Sequence, residues 1–243
     1  MQLTDIVTLT GTIRLASGLH IGGGDQAMQI GSIDNPVIKH PNTRQPFIPG
    51  SSLKGKLRTL LEHKLGVSQF NNGNPADAAA DYRGDKTAQE NAKKIAKLFG
   101  NGDPTYKNNR ALSSQIGPSR GVFADAMLSK IFIETIEDNS ELVYFGTRTT
   151  TSINRLSGTA KSGLHTSEHV PEGIVFDFTV SIKILETSDY ALVDLLVQGL
   201  RLLELDYLGG YGSRGYGKII FENITMTKEG ESKTIELPLN PFA

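Results

Sequence analysis

Three stretches carry residue types at spacings that chemistry uses. Gly50-Ser51-Ser52-Leu53-Lys54-Gly55-Lys56-Leu57 nearly spells a phosphate-binding P-loop. Leu57 stands where a Ser or Thr must ligate magnesium, and the preceding PFIP is a poor buried strand, so nucleotide hydrolysis is not expected. The physics of the half-match remains. A helix N-terminus with free N–H groups beside Ser51, Ser52, Lys54 and Lys56 is a seat for a phosphate. The alternative is an N-capped helix with its lysines in solvent. Gly210-Tyr211-Gly212-Ser213-Arg214-Gly215 fits GxGxxG, but a helix precedes it and a strand follows, the reverse of a dinucleotide-binding unit. What is left is a glycine-dense loop, 209–218. Its backbone can lie close to a polyanion while Tyr211 and Tyr216 stack and Arg214 and Lys218 meet phosphate. A flexible turn is the alternative. His165-Thr166-Ser167-Glu168-His169 has the HxxEH zinc pattern, yet that chemistry needs a helix, and Gly158, Gly163, Pro171 and Gly173 surround it. Solvated loop histidines are the better reading.

Two single residues add to these. His20 ends the first apolar stretch beside a glycine run, as a hydrogen-bonded structural residue, an RNA contact or a proton shuttle. Asp34 lies in GSIDNPVI. It reads either as an Asx turn or as a carboxylate held out on a loop, able to bind a divalent ion or assist a ribose 2′-OH. Around the helix that carries Lys54, the charge is uneven. Residues 44–64 hold Arg44, Lys54, Lys56, Arg58 and Lys64 against Glu62, in a chain whose net charge is −1. Lys54 and Arg58 are four apart and share a helix face, so a local basic stripe can grip an acidic polymer.

Elements must position these groups. Residues 6–16 alternate, with Val7, Leu9, Ile13 and Leu15 on one face, and 174–184 alternate from Ile174 to Ile184; both read as strands. Leu53, Leu57, Leu60, Leu61 and Leu65 form a helical stripe capped by Ser51 or Ser52 and stopped by Gly66. A second helix starts at Ser188 or Asp189 and stops at Gly209–Gly210. Residues 121–134 and 218–227 read as strands, and 146–172 as a long exposed hairpin. The polar stretch 66–115, poor in large apolar groups, reads as an insertion with one short helix. Without the insertions the order is βαββαβ. This is an α+β, ferredoxin-like unit, the topology that also carries the RNA-recognition motif. The expected domain is single, 1–243. Its core is approximately 5–66, 116–140 and 171–228, its partly helical lid 67–115 and its thumb-like hairpin 146–172.

Composition bounds the rest. The 243 residues are 38% hydrophobic and 21% charged, enough to bury a core. With 25 Lys+Arg against 26 Asp+Glu, the chain is not a uniformly basic coat protein. Cysteine is absent, which removes disulfides, thiolate catalysis and cysteine zinc sites. Glycine, at 26 residues, exceeds the usual share of about 7%. No apolar run approaches the roughly 18 residues of a membrane span, and MQLTDIVTLT lacks a signal pattern, so a cytoplasmic protein without a membrane partner is expected.

GLHIGGGD, IDNPVIKHPNTRQPFIPGSSLKGKLRTLLE and the late GGYGSRGYGK together resemble the RAMP superfamily of CRISPR proteins. The similarity is greatest to the Cas-seven family, the backbone subunits of type III-A (Csm) effector complexes. IPGSSLKGKLR and the glycine-rich loop occur across RAMP proteins, while IDNPVI is the more specific sign, and VPEG…F in 170–176 also looks family-like. The resemblance implies copies stacked as a filament along a CRISPR RNA, beside other type III-A effector subunits. It implies a palm that grips the guide backbone, a thumb within about 146–172 and regular cutting of paired single-stranded target RNA. The family's cutting aspartate falls on Asp34, which would also hold Mg2+ or another divalent cation. The guide-binding palm falls on His20, Ser51, Ser52, Lys54, Lys56 and Arg58. The RAMP loop falls on Gly210, Gly212, Arg214, Gly215 and Lys218. Cutting would proceed by attack of the target 2′-OH, with much of the rate coming from alignment of the displaced nucleotide. Two other readings stand beside it: a non-catalytic RNA-binding scaffold, and a guide-processing RAMP endonuclease using His20 as acid/base.

Overall fold

Alternation in the first strand buries Val7, Leu9, Ile13 and Leu15 and leaves the threonines between them half-buried or better exposed. The computed structural model describes residues 1–23, 33–70, 73–101, 109–137, 143–160 and 163–242. The end of the glycine run at 24–25 lies outside them. So do 71–72 and 102–108 of the expected insertion, 138–140 of the expected core and 161–162 of the expected hairpin.

In chain order the elements begin with β1 (Asp5–Leu15), α1 (Gly50–Lys64), α2 (Lys86–Phe99), α3 (Arg110–Ile116), β2 (Gly121–Phe123) and β3 (Met127–Leu128). They continue with α4 (Lys130–Glu137), β4 (Gly146–Thr150), β5 (His165–His169), β6 (Val175–Ile184), α5 (Tyr190–Leu205), β7 (Ile219–Lys228) and β8 (Glu231–Thr234). The fold is α+β with antiparallel sheets. The main sheet runs β2-β6-β1-β7-β8, with β3 also on β6, and β4–β5 form a separate two-stranded sheet. Leu9 lies opposite Val180 and Ile13 opposite Phe176, so the apolar faces of β1 and β6 coincide. Those faces share one core with Leu53, Leu57 and Leu61 of α1 and Leu196, Leu200 and Leu203 of α5. The two helices meet at Gly199, where an added Cβ would stand 3.1 Å from Leu61. Among the described residues no helix is long and apolar enough to cross a membrane.

Three expectations change. Residues 121–134 are not one strand. Ala124 still donates to the Thr179 carbonyl of β6 at 3.1 Å, but Asp125 leaves the sheet, Ala126 bridges to Ile48, and from Lys130 the chain is helical. An apolar run this short fits both periods, and the break is decided by what Asp125 must reach. That carboxylate accepts the Gly50 N–H at 2.8 Å and so supplies the negative group at the start of α1, where neither Ser51 nor Ser52 caps. The stretch 66–115 holds a 14-residue helix as well as α3, and Ala92, Ile95, Leu98 and Phe99 enter the main core. Alanines at 88 and 92 and three large apolar groups in the last turns of the helix sufficed to anchor it.

Arg58 binds that insertion down. Its Nε donates to Glu62 at 2.7 Å, and its terminal nitrogens donate to the carbonyls of Gly100 (3.2 Å) and Ala76 (2.9 Å). Glu62, itself buried, also accepts the Ala76 N–H at 2.9 Å. The expected RNA contact is therefore turned inward, and the basic stripe shared with Lys54 is split. Arg58→Ala leaves a buried carboxylate and two carbonyls short of donors, and should lower unfolding stability by about 2 kcal/mol in urea titration. Lys54→Ala should leave the midpoint in place, because Lys54 has no partner among the described residues. Equal effects of the two substitutions would contradict this assignment.

Candidate nucleic-acid interface

The hairpin, the Asp34 segment and the glycine-rich loop converge, and Glu168 is where they join. HTSEH is strand β5, not a solvated loop, and alternation within it turns Glu168 inward to 4% exposure. Its carboxylate accepts the Val37 N–H at 2.9 Å and the Lys39 ammonium at 2.8 Å. Its backbone N–H donates to the Asn35 carbonyl at 3.0 Å, and Asn35 bridges Ser167 in parallel. Asp34 is thereby laid along the strand. It is exposed, and one carboxylate oxygen accepts the Thr166 N–H at 2.8 Å. That bond fixes the side chain without burying it.

His20 joins the glycine-rich loop to the same strand. It is 8% exposed, its Nδ1 lies 2.7 Å from the Glu168 carbonyl, and its own carbonyl accepts the Gly210 N–H at 2.8 Å. The loop is packed rather than loose. A Cβ on Gly212 would come within 2.2 Å of the Tyr207 ring. Tyr211 adopts φ 61°, a left-handed conformation costing about 1 kcal/mol or more in a non-glycine residue. That backbone aims Tyr211 at His20, with centroids 4.8 Å apart, and Tyr211 meets Tyr216 at 5.9 Å. Arg214 lies over Tyr211 (4.9 Å) and Arg148 over Tyr216 (5.5 Å). Neither arginine has a carboxylate partner among the described residues.

Two clefts run between hairpin and loop. The one beside Asp34, about 480 Å3, is lined by Asn35, Thr150, His165, Ser167, Tyr211 and Arg214, among others. The second, about 390 Å3, lies nearer the hairpin base, with Gly18, Arg148, His169, Glu172, Gly215 and Tyr216 in its wall.

Of the residues expected to meet RNA, Asp34, Arg214 and Gly215 are at these clefts or beside them. Lys54 projects from α1 without a partner among the described residues. Ser51 is exposed and Ser52 half-buried in the first turn of α1, next to the Asp125 carboxylate that occupies its N-terminus. Lys56 is committed to Asp206 at 2.7 Å and to the Tyr207 ring at 3.7 Å. Lys218 donates to the Leu205 and Asp206 carbonyls at the end of α5. Gly210 and Gly212 are contacts within the protein, as is the buried His20, which argues against free acid/base use of its ring. Sequence alone assigns no RNA-binding role to Arg148 or Glu172, and His165 and Ser167 fall with the zinc pattern. Pairing Arg148 with Ser167 and Thr150 with His165 across the hairpin is what brings them to the clefts.

His169 forms the floor of the second cleft. Its ring sits where a Cβ on Gly18 or Gly146 would approach to 2.9 Å, edge-on to Tyr216 at 5.5 Å. Burial holds its pKa below the ordinary 6.5, the Arg148 and His20 charges push the same way, and Glu168 opposes them. Its Nδ1 is buried without a hydrogen-bond partner. For a divalent cation, the donor set is thin. Among the described residues no three His, Asp or Glu side chains converge on a metal-sized site. The hard carboxylate oxygen of Asp34 not held by Thr166 fits an ion that keeps mostly water and phosphate ligands, and not an all-protein cage.

Two arginines on tyrosines, unpaired among the described residues, beside an anchored, exposed carboxylate are the chemistry that suits a polyanionic strand. The family model described as RAMP superfamily matches residues 12–220. A CRISPR system Cms endoribonuclease Csm3 of Methanocaldococcus jannaschii is 38% identical over 228 residues, covering 93% of this chain and 82% of the relative. The protein of that name from Streptococcus thermophilus is 36% identical over 225 residues, covering 91% and 89%. A chain in a crystal structure of a Csm3–Csm4 subcomplex of the type III-A CRISPR-Cas interference complex superposes with TM-score 0.56 and 29% identity, over 97% of this chain and 90% of that one. A chain of a type III-B Cmr-beta complex bound to cognate target RNA shares the fold, with TM-score 0.60 and 15% identity over 91% and 61%. The chain belongs to the RAMP superfamily and, within it, to the family of the Csm3 endoribonucleases.

The lowered pKa of His169 makes a pH prediction. Between its folded pKa and 6.5 the unfolded chain binds the proton and the folded chain does not. The contribution is fully present above 6.5 and is lost as pH falls toward the folded value. Thermal midpoints measured against pH should therefore drop less steeply on acidification in His169→Gln than in the natural chain. Parallel profiles would refute the assignment.

Proposed function

We propose that this chain is the repeating backbone subunit of a type III-A CRISPR ribonucleoprotein in the cytoplasm. It holds CRISPR RNA along the sugar–phosphate backbone and cuts paired target RNA at Asp34. The observation that carries the reading is the Asp34 carboxylate, exposed yet fixed by the Thr166 N–H, next in the chain to Asn35, which lines a cleft with an Arg214 that has no carboxylate partner among the described residues. Membership in a family whose relatives are named endoribonucleases supports it. So does likeness to a chain of a Csm3–Csm4 subcomplex, which favours assembly with other effector subunits; stacking with further copies of itself belongs to the same proposal.

The reading extends to architecture. Counting β2 and β3 as one strand, the order β2-β6-β1-β7 with α1 and α5 in a shared core fits a ferredoxin-like unit. The β4–β5 hairpin serves as thumb. Its turn is braced by the Asn154 side chain, which accepts the Leu156 N–H at 2.9 Å, and it presents Leu156 at 99% exposure with Ile153 and Arg155 beside it. An apolar wedge of this kind unstacks a nucleotide and frees its backbone from A-form geometry. The target 2′-oxygen then lines up with phosphorus and the 5′-oxygen. The 2′-O–P bond forms as the P–O5′ bond breaks, leaving a cyclic phosphate and a 5′-hydroxyl. Asp34 is placed to orient the attacking hydroxyl and accept its proton. A divalent cation such as Mg2+, when bound, supplies charge stabilisation for the phosphate. Lys54 and Arg214 neutralise backbone phosphates, and binding should weaken with salt.

Complexes rebuilt with guide RNA and Asp34→Ala should lose cutting of a labelled complementary target by about a hundredfold or more while still binding it. Undiminished cutting sinks the catalytic assignment. Loss of target binding along with cutting favours a scaffold role for the residue. Shortening the 151–164 turn should disturb the spacing and rate of cutting more than guide affinity. Unaltered fragments from that variant would refute the thumb placement.

A further inference from the structure

The cleft at the hairpin base contains side chains that the cutting reaction leaves unused. Arg148 and Glu172 both line it, both are exposed, and neither has a partner of opposite charge among the described residues. No ion pair joins them, although they share a space of about 390 Å3. A bare phosphate would satisfy Arg148 and be repelled by Glu172, and a bare cation would do the reverse. An ionised carboxylate only accepts hydrogen bonds, so Glu172 calls for a donor, and the Arg148 charge in the same cleft disfavours a cationic one. Arg148, spread on the Tyr216 face, presents a planar fork suited to phosphate oxygens. A ribonucleotide offers both groups on adjoining atoms, a phosphodiester and a 2′-hydroxyl, and a deoxynucleotide offers only the first. His169, wedged between Gly18 and Gly146, lines the same cleft.

We infer that this cleft is a ribose-reading nucleotide subsite, in which Arg148 takes a backbone phosphate and Glu172 accepts the 2′-hydroxyl hydrogen bond, so that the chain prefers RNA to DNA. The inference rests on the RNA-binding reading above and adds sugar selectivity to it. It gives the glutamate of the VPEG motif a task that cutting does not supply.

Fluorescence anisotropy of the full chain with labelled oligouridylate and oligodeoxyuridylate of equal length tests it. The natural chain should bind the RNA more tightly. Glu172→Ala should reduce the RNA-over-DNA ratio about tenfold while DNA affinity holds or rises. Arg148→Ala should weaken both polymers about tenfold and make the salt dependence shallower by about one charge, whereas Arg148→Lys keeps the slope. Both positions are exposed, so thermal midpoints should match the natural chain. An unchanged ratio in Glu172→Ala, or unchanged affinity in Arg148→Ala, overturns the subsite while leaving the RNA-binding reading intact. A natural chain that binds neither polymer overturns both.

Discussion

The Glu168 carboxylate is the point on which the interface depends. It is buried, and an ionised carboxylate away from water is costly unless paired and hydrogen-bonded. Here one oxygen takes the Lys39 ammonium and the other the Val37 N–H. Those bonds pin the chain after Asp34 against β5, and the carbonyl of the same residue meets His20, which in turn receives the Gly210 N–H. Three segments far apart in sequence are thus tied through one residue. The exposed groups are left at the surface: Asp34 beside Asn35 of one cleft, Arg148 and Glu172 in the wall of the other.

Charge pairing sorts the cations into two populations. Lys39, Lys56, Arg58, Lys97 and Arg120 are spent on carboxylates and hold segments together. Arg148 and Arg214 rest on tyrosine faces instead, which orients them without neutralising them. A chain of net charge −1 can therefore hold exposed arginines ready for phosphate without being basic overall. Because such contacts address phosphate, they position a strand and carry little base information. The 2′-hydroxyl is the additional handle by which one sugar is told from the other.

Much of the scaffold was legible from periodicity. β1 and β6 alternate cleanly, and the leucine stripe of α1 lies where its spacing placed it. The short run at 121–134 misled, since few residues fit both periods and the decisive event was the reach of Asp125 to Gly50. The basic stripe misled for a related reason. Residue type gives Lys54 and Arg58 the same charge, and spacing pairs Arg58 with Glu62, but only packing against α2 and its flanks reveals that Arg58 also serves Ala76 and Gly100. Solvated histidines were expected in HTSEH, where strand pairing instead buries the intervening glutamate.

The sequence by itself determined the secondary-structure periods, the absence of thiol chemistry, the family resemblance and the carboxylate at position 34. These follow from residue type and local spacing, which are fixed before folding. Which charges stay free, and which histidine lies beneath a cleft, was decided only by the tertiary structure. A charge is available to a ligand only if no neighbour has claimed it, and neighbours that claim Lys56, Arg58, His20 and Glu168 come from distant parts of the chain.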